Sequence, residues 1–153
     1  MDVPFVPDHF AAPVALHGEW CRLRPLSVTD NESDFAAWHS SIDHIRSTPG
    51  YGDDQPWPTL EYTRAQNHAD LARHEADFAA RRGFTYTVLC TATGDVIGCV
   101  YIYTPRDPEV FDADVKSWVR ADHAARDGDL FRLVSAWLAD QWPFTKVSYA
   151  DRP

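Results

Sequence analysis

Apolar positions recur at two different spacings along the chain. Two runs rich in β-branched and aromatic residues, Phe84–Cys90 and Val96–Tyr103, flank a short turn and predict an antiparallel hairpin. Alternation of apolar and polar positions predicts two further strands, over Glu19–Arg24 and Asp112–Val119. A last strand is expected over Phe144–Tyr149, directly after Pro143.

Spacings of three and four residues predict three helices. The first begins at a capping box formed by Thr29 and Glu32, and its buried stripe consists of Phe35, Trp38, Ile42 and Ile45. The second runs from a Thr59 cap to about Arg82, where Gly83 ends it. The third begins at about Asp127. The order β-α-α-β-β-β-α-β predicts an α+β fold, with a mixed, mainly antiparallel sheet and helices on both faces.

The length of 153 residues is that of one domain. Residues 1–18 contain three prolines and no periodicity, which predicts an extended N-terminal arm. Residues 19–153 are then expected to form a single domain.

The composition of the chain disfavours some classes of binding partner. The formal net charge of −9 disfavours nucleic acid and anionic membranes, and suits a cationic acceptor such as an amine. The longest apolar run has eight residues, too few to span a membrane, and the first eight residues contain no base. The three cysteines are odd in number and have no metal-binding spacing, so reduced thiols and a cytoplasmic location are expected.

Several short motifs share their order with a known family. They are Arg22–Leu26 followed by Asp30, Asp95–Val100 at the third strand, and Ser117–Arg120 closing the fourth. Over about residues 20–150 the chain resembles the GNAT superfamily of N-acyltransferases, which use acetyl-CoA. The resemblance implies acetyl-CoA-dependent transfer of an acyl group to a small amine, which attacks the thioester directly.

In that family the fourth strand splays from the fifth, and the pantetheine arm lies in the gap. A loop similar to Arg/Gln-x-x-Gly-x-Gly/Ala wraps the pyrophosphate, where glycines and a helix N-terminus favour an anion. The resemblance places the coenzyme on Trp118, Val119, Arg120, Arg126, Asp127, Gly128, Asp129 and Leu130. Only Gly128 fits the loop pattern, and Asp127 and Asp129 bring carboxylates to the expected anion site, although Arg120 and Arg126 can offset them. This departure keeps an alternative open: a non-catalytic module of the same fold that binds a small ligand or a protein.

A second departure lies at the end of the sequence. The family usually continues with another helix and two strands, so this chain is expected to lack them and to cover its last strand as a homodimer.

Acyl transfer needs a base for the ammonium and an acid for the leaving thiolate. The candidate bases are Asp114 and His123, and the candidate acids are Tyr103 and Tyr149. The expected acceptor contacts flank or belong to the Pro/Gly-rich loop at 46–58: His39, His44, Tyr51 and Trp57. Asp70 and His74 share a helix face, but no third ligand is evident, so no metal site is expected.

Overall fold

The computed structural model describes residues 3–52 and 54–153. Six strands follow one another both in sequence and in the sheet: β1 Leu16–His17, β2 Cys21–Pro25, β3 Gly83–Cys90, β4 Val96–Tyr103, β5 Ala113–Val119 and β6 Val147–Tyr149. Neighbouring strands are antiparallel except β5 and β6, which are parallel. The predicted α+β class with a mainly antiparallel sheet is confirmed.

The described residues include four α-helices: α1 Asn31–His39, α2 Ile42–Ser47, α3 Arg64–Ala79 and α4 Asp127–Gln141. Short 3-10 helices precede α1 and α4, over Val28–Asp30 and Ala121–Arg126. Trp38 of α1 belongs to one buried cluster and Trp137 of α4 to another. Because a strand presents alternate residues to its two faces, the two clusters are the cores on either side of the sheet.

The beginnings of the first two long helices differ from the prediction. Ser27 and Asp30, not Thr29 and Glu32, form the first capping box, one 3-10 turn before α1. The second helix begins at Arg64, where Thr63 and Gln66 form the box. In both regions another residue with the same capping chemistry lies nearby, so sequence alone did not select the right one.

The predicted first helix is two helices. The helix is interrupted at Ser40–Ser41, and Trp38 of α1 and Ile45 of α2 are both buried. Similarly, Gly83 does not end α3. The chain leaves that helix through Arg81, in the left-handed region with φ 63°, and Gly83 begins β3 against the ring of Tyr103.

Residues 3–15 lie over the body without forming a helix or strand. The Arg81 guanidinium donates to the carbonyl oxygens of Pro7 and Phe10, each at 2.7 Å, and Val6 is buried in the α4-side core. The expected arm does end in a strand, because residues 16–17 pair with β2. At the other edge of the sheet lies β6, and a homodimer that covers it stays a prediction.

Candidate functional site

A cavity of about 410 Å³ lies between β4, β5, α3 and the loop that joins α2 to α3. We call it the aromatic pocket, because its walls include Tyr51, Trp57, Tyr62 and Tyr101. Its volume is within the range of small-molecule sites. The loop contributes the first three of these rings, and Trp57 packs against Trp38 and Trp118 at centroid distances of 5.2 and 6.2 Å.

A buried carboxylate belongs to the lining of this pocket. Asp34 is only 4% exposed, and its Oδ2 accepts a hydrogen bond of 3.0 Å from the amide of Asn67. Burial, together with the nearby carboxylates of Asp30 and Asp70, raises the pKa of Asp34 to about 6 against the lowering effect of the Asn67 hydrogen bond. A carboxylate with such a pKa is partly ionised near neutral pH and can exchange a proton there.

An ammonium group lines the same pocket. Lys116 projects from β5, its Nζ lies 5.6 Å from the centre of the Tyr51 ring, and its nearest polar partner is the Gln55 Oε1 at 3.5 Å. Burial lowers the pKa of Lys116. In the described part of the chain neither Lys116 nor Asp34 belongs to an ion pair.

Tyr51 connects this pocket with the β5–β6 side of the sheet. It is 5% exposed, and its buried hydroxyl has no hydrogen-bond partner among the described residues. Burial raises the pKa of Tyr51, the charge of Arg152 lowers it and the charge of Asp127 raises it. The aromatic pocket and the region beyond β5 are therefore within electrostatic reach of each other.

The wall formed by α3 carries its own polar network. Tyr62 donates to Asp70, which also pairs with Arg73 at 3.5 Å. His74 Nδ1 lies 2.7 Å from the hydroxyl of Tyr103, which in turn donates to Asp77 at 2.9 Å. Burial lowers the pKa of His74 to about 4, so this imidazole is neutral at neutral pH.

A second feature is the cleft where β5 and β6 diverge. The strands pair from Ala113–Val147 to Val115–Tyr149, and beyond this point an arginine side chain bridges them. Arg152 donates to the Ser117 carbonyl oxygen at 2.9 Å and to Asp127 Oδ2 at 2.7 Å. Its side chain is 2% exposed, so it fills this β5–β6 cleft.

The loop beside the cleft is a 3-10 helix whose charges are paired with one another. Arg120 forms two hydrogen bonds with Asp122, at 2.7 and 2.9 Å. Arg126 pairs with Asp129 at 3.2 Å and lies over the Trp20 ring at 5.5 Å. An anion at this loop would therefore have to take these arginines from their carboxylate partners.

The residues predicted to carry chemistry lie in several places. Tyr51 and Trp57 line the aromatic pocket, whereas His39 and His44 line a separate cavity of about 290 Å³. Tyr149 Oη lies 2.5 Å from Ser117 Oγ at the β5–β6 cleft, and burial raises its pKa to about 12. The remaining candidate acids and bases, Asp114, His123 and Tyr103, are outside both regions.

The hydrogen bonds of these candidates place them elsewhere in the fold. Asp114 accepts a hydrogen bond of 2.9 Å from the backbone N–H of Arg106, and His123 Nδ1 lies 3.0 Å from Asp122. Tyr103 belongs to the His74 network behind the pocket wall. Of the residues expected to touch the coenzyme, three have fully buried side chains: Trp118, Val119 and Leu130.

Asp34, Lys116 and Arg152 are among the residues of the two regions that the sequence reasoning missed. Asp34 lies one helical turn after Asp30 and one before Trp38, so a carboxylate on the buried stripe was the available signal. Lys116 alternates with small or apolar positions of its strand, and this alternation alone gave no sign of a pocket. No sequence pattern marks Arg152, because its partners on β5 and α4 are distant along the chain.

Among the described residues, no three His, Cys, Asp or Glu side chains lie close enough together to hold a metal ion. No helix of residues 3–52 and 54–153 has the length and apolar character required to cross a membrane.

Solved structures share this architecture. A protein from Vibrio cholerae assigned as a ribosomal-protein-serine acetyltransferase superposes with a TM-score of 0.68 and 11% identity, over 97% of this chain and 76% of that one. Ribosomal-protein-S5-alanine acetyltransferase from Vibrio fischeri gives 0.63 and 15%, over 82% and 67%. A ribosomal L7/L12 alpha-N-protein acetyltransferase in complex with coenzyme A gives 0.61 and 10%, over 83% and 66%. The chain therefore has the fold of the GNAT acetyltransferases.

Comparison of the sequence alone found no relative. No family model matches the chain, and no curated protein matches it in sequence. The likeness at these identities concerns the fold, so the activity has to be argued from the site.

Proposed function

We propose that this protein transfers the acyl group of acetyl-CoA to the amino group of a small molecule bound in the aromatic pocket. The observation that carries the proposal is the position of Asp34, a buried carboxylate with a pKa of about 6 in an aromatic-walled cavity beside β5. Aromatic faces and a carboxylate are the groups that hold an ammonium ion, and such a carboxylate is a suitable proton acceptor near neutral pH.

The β5–β6 cleft is suited to part of acetyl-CoA only after Arg152 leaves it. The Ser117 carbonyl oxygen now accepts from Arg152, and it is the kind of acceptor that an amide N–H of the pantetheine arm requires. Arg126 is half exposed and forms its ion pair with Asp129 at the surface, so a phosphate can replace that carboxylate as its partner. When bound, acetyl-CoA supplies the thioester carbonyl that the amine attacks.

The residues of this chain then have distinct roles. Asp34 accepts one proton from the ammonium, which exposes the nitrogen lone pair, and the proton passes to solvent. Tyr149, protonated at neutral pH and bonded to Ser117, donates a proton to the thiolate as the C–S bond breaks. The second proton of the amine is released as the C–N bond forms and restores the phenol. The net products are an amide, a free thiol and one proton.

One observation favours a second candidate function, a non-catalytic module that binds its ligand in the aromatic pocket alone. With Arg152 buried in the cleft and Arg120 and Arg126 paired, the structure offers no open coenzyme site in the described residues. The two candidates differ in whether Arg152 can be displaced.

Thermal unfolding with and without acetyl-CoA separates them. A ligand at about 100 times its Kd adds about 2.7 kcal/mol, which raises the Tm of a domain of this size by about 5–11 °C. We expect millimolar acetyl-CoA to stabilise the wild type, Arg152→Ala to bind it more tightly, and the Arg120→Ala/Arg126→Ala pair to bind it less. Arg64→Ala, an exposed arginine paired with Glu32, is the control.

Thiol release in the presence of a panel of small amines measures the reaction itself. If acetyl-CoA stabilises the protein but no amine causes thiol release, the protein binds the coenzyme and the proposed acyl transfer is wrong. The absence of stabilisation in both the wild type and Arg152→Ala would favour the non-catalytic module.

A further inference from the structure

The aromatic pocket contains two charges of opposite sign that do not neutralise each other. Asp34 and Lys116 both line it, neither forms an ion pair within the described residues, and each is partly or wholly removed from water. An isolated buried charge is costly, so such groups are normally paired. The other two charges of the pocket, Asp70 and Arg73, already form a pair with each other.

The direct partners of these two charges are weak. Asp34 has the Asn67 amide, and its other electrostatic neighbours, Asp30 and Asp70, are carboxylates that repel it. Among the described residues, Lys116 contacts the Gln55 oxygen at 3.5 Å and the face of the Tyr51 ring, while the carboxylates of Asp114 and Asp54 act on it without forming an ion pair. An ammonium near Asp34 and an anion near Lys116 would each supply what the protein leaves out.

Tyr51 belongs to the lining of the pocket, and the Lys116 ammonium lies over its ring at 5.6 Å from the centroid. Its hydroxyl is fully buried and has no partner among the described residues. The charges of Arg152 and Asp127, on the β5–β6 side, act on this residue. The part of Tyr51 assigned to the ligand is therefore its ring, and the two charged contacts come from Asp34 and Lys116.

The remaining lining is largely apolar and aromatic, including Leu26, Trp57, Leu71 and Tyr101. From these observations we infer that the aromatic pocket binds a zwitterion, a free α-amino acid with a large apolar side chain. Its ammonium pairs with Asp34, its carboxylate pairs with Lys116, and its side chain contacts the aromatic wall. This inference deepens the proposed function, on which it rests for the amino acid to be the acyl acceptor.

The test compares ligands that differ by one charge and omits acetyl-CoA, so a failure of acyl transfer does not affect it. L-Phenylalanine carries both charges, phenethylamine only the ammonium, and 3-phenylpropanoate only the carboxylate. Calorimetry with the full chain is expected to show that phenylalanine binds at least about tenfold more tightly than either analogue, since each lost charge removes a charge-assisted hydrogen bond. L-Tryptophan and L-leucine extend the series to a larger and a smaller side chain.

Two variants test which charge of the protein binds which charge of the ligand. Lys116→Met is expected to remove the advantage of phenylalanine over phenethylamine, and Asp34→Asn its advantage over 3-phenylpropanoate. Lys146→Met and Asp140→Asn, at exposed positions outside the pocket, are the matched controls. The ligand series needs no variant, so poor folding of either one leaves the test intact.

Two results would overturn the inference. One is that none of the three amino acids binds at about 10 mM, a concentration at which even a site with a millimolar Kd would be occupied. The other is binding of phenethylamine as tight as that of phenylalanine, which would indicate a site for a simple cation. If an amino acid binds but no acyl transfer to it occurs, the zwitterion site stands and the proposed function fails.

Discussion

Arg152 and Asp127 form an ion pair of 2.7 Å inside the β5–β6 cleft, between the chain beyond β6 and the first residue of α4. The arginine side chain is 2% exposed and also holds the Ser117 carbonyl oxygen, so it ties β5, β6 and α4 together. Asp127 Oδ1 is buried and has no partner among the described residues. The pair therefore fills a gap that the sheet topology alone would leave open.

Removing the arginine is expected to leave a buried carboxylate without its counter-ion. Arg152→Met should lower the free energy of unfolding by about 3 kcal/mol, because breaking one partner of a buried pair is more costly than replacing both. The double variant Asp127→Asn/Arg152→Met should recover much of that loss. Urea unfolding at neutral pH measures both, and an unchanged stability of the single variant would contradict the role of the pair.

Asp34 should give stability a distinctive pH dependence. Its pKa is raised from 3.8 to about 6, so the folded chain binds more protons than the unfolded chain between these values. Stability from this group is present below pH 4 and is lost as pH rises to about 6, by about 3 kcal/mol. Asp34→Asn should lose this dependence, so its stability relative to wild type should increase across that range.

The comparison must be made as a difference between the variant and the wild type. His74 has a lowered pKa of about 4, so it destabilises the fold as pH falls from 6.5 to 4, in the opposite sense. Its contribution is common to both proteins and cancels in the difference. Asp140→Asn, at an exposed position, serves as the control, and an equal pH dependence in wild type and Asp34→Asn would refute the prediction.

Cys90 should be the most reactive of the three thiols. Hydrogen bonds from the Thr93 side chain and backbone, with others from Ala92 and His123, lower its pKa to about 7. Cys21 is buried, with a pKa of about 11, and Cys99 is also buried. Alkylation by iodoacetamide should therefore label Cys90 first.

The rate of that labelling should rise through pH 7 and level off by about pH 8, because the thiolate is the nucleophile. His123→Ala should shift the profile to higher pH. Mass spectrometry of peptides after short exposure identifies the labelled thiol, and earlier labelling of Cys21 or Cys99 would count against this environment.

The sequence predicted the elements better than it predicted the site. Strong periodicity located β4 and the start of α4, because a buried strand and an amphipathic helix each repeat a local pattern over many residues. Capping chemistry at 27–32 and 59–66 was ambiguous, since Ser and Thr occur at several suitable positions. The spacing of apolar residues also does not indicate the break between α1 and α2.

Tyr51 and Trp57, which their loop suggested as acceptor contacts, line the aromatic pocket, and their role there stays a prediction. Asp34 and Arg152 were missed, because their properties depend on contacts across the fold. Asp34 acquires its raised pKa from burial against β4 and α3, and Arg152 finds its partners 25 and 35 residues away. Such properties follow from tertiary packing and cannot be deduced from residue spacing.

Gly98 should be indispensable for the pairing of β4 with β5. A Cβ atom at this position would overlap the carbonyl oxygen of Trp118, a backbone atom of the neighbouring strand that cannot turn aside. Gly98→Ala must therefore push the strands apart next to Trp118, which packs against Trp57 of the aromatic pocket. We expect a loss of about 1–3 kcal/mol in the free energy of unfolding, as for other overpacked interiors.

Gly128→Ala is the matched control, because a Cβ there meets only the movable end of the Arg132 side chain, at 3.3 Å. In α4 this replacement should be neutral or stabilise the chain by up to about 1 kcal/mol, through the higher helix propensity of alanine. Denaturant unfolding compares the two variants, and phenylalanine affinity reports on the pocket. If Gly98→Ala matched Gly128→Ala in both measurements, the close approach of the strands would not constrain this residue.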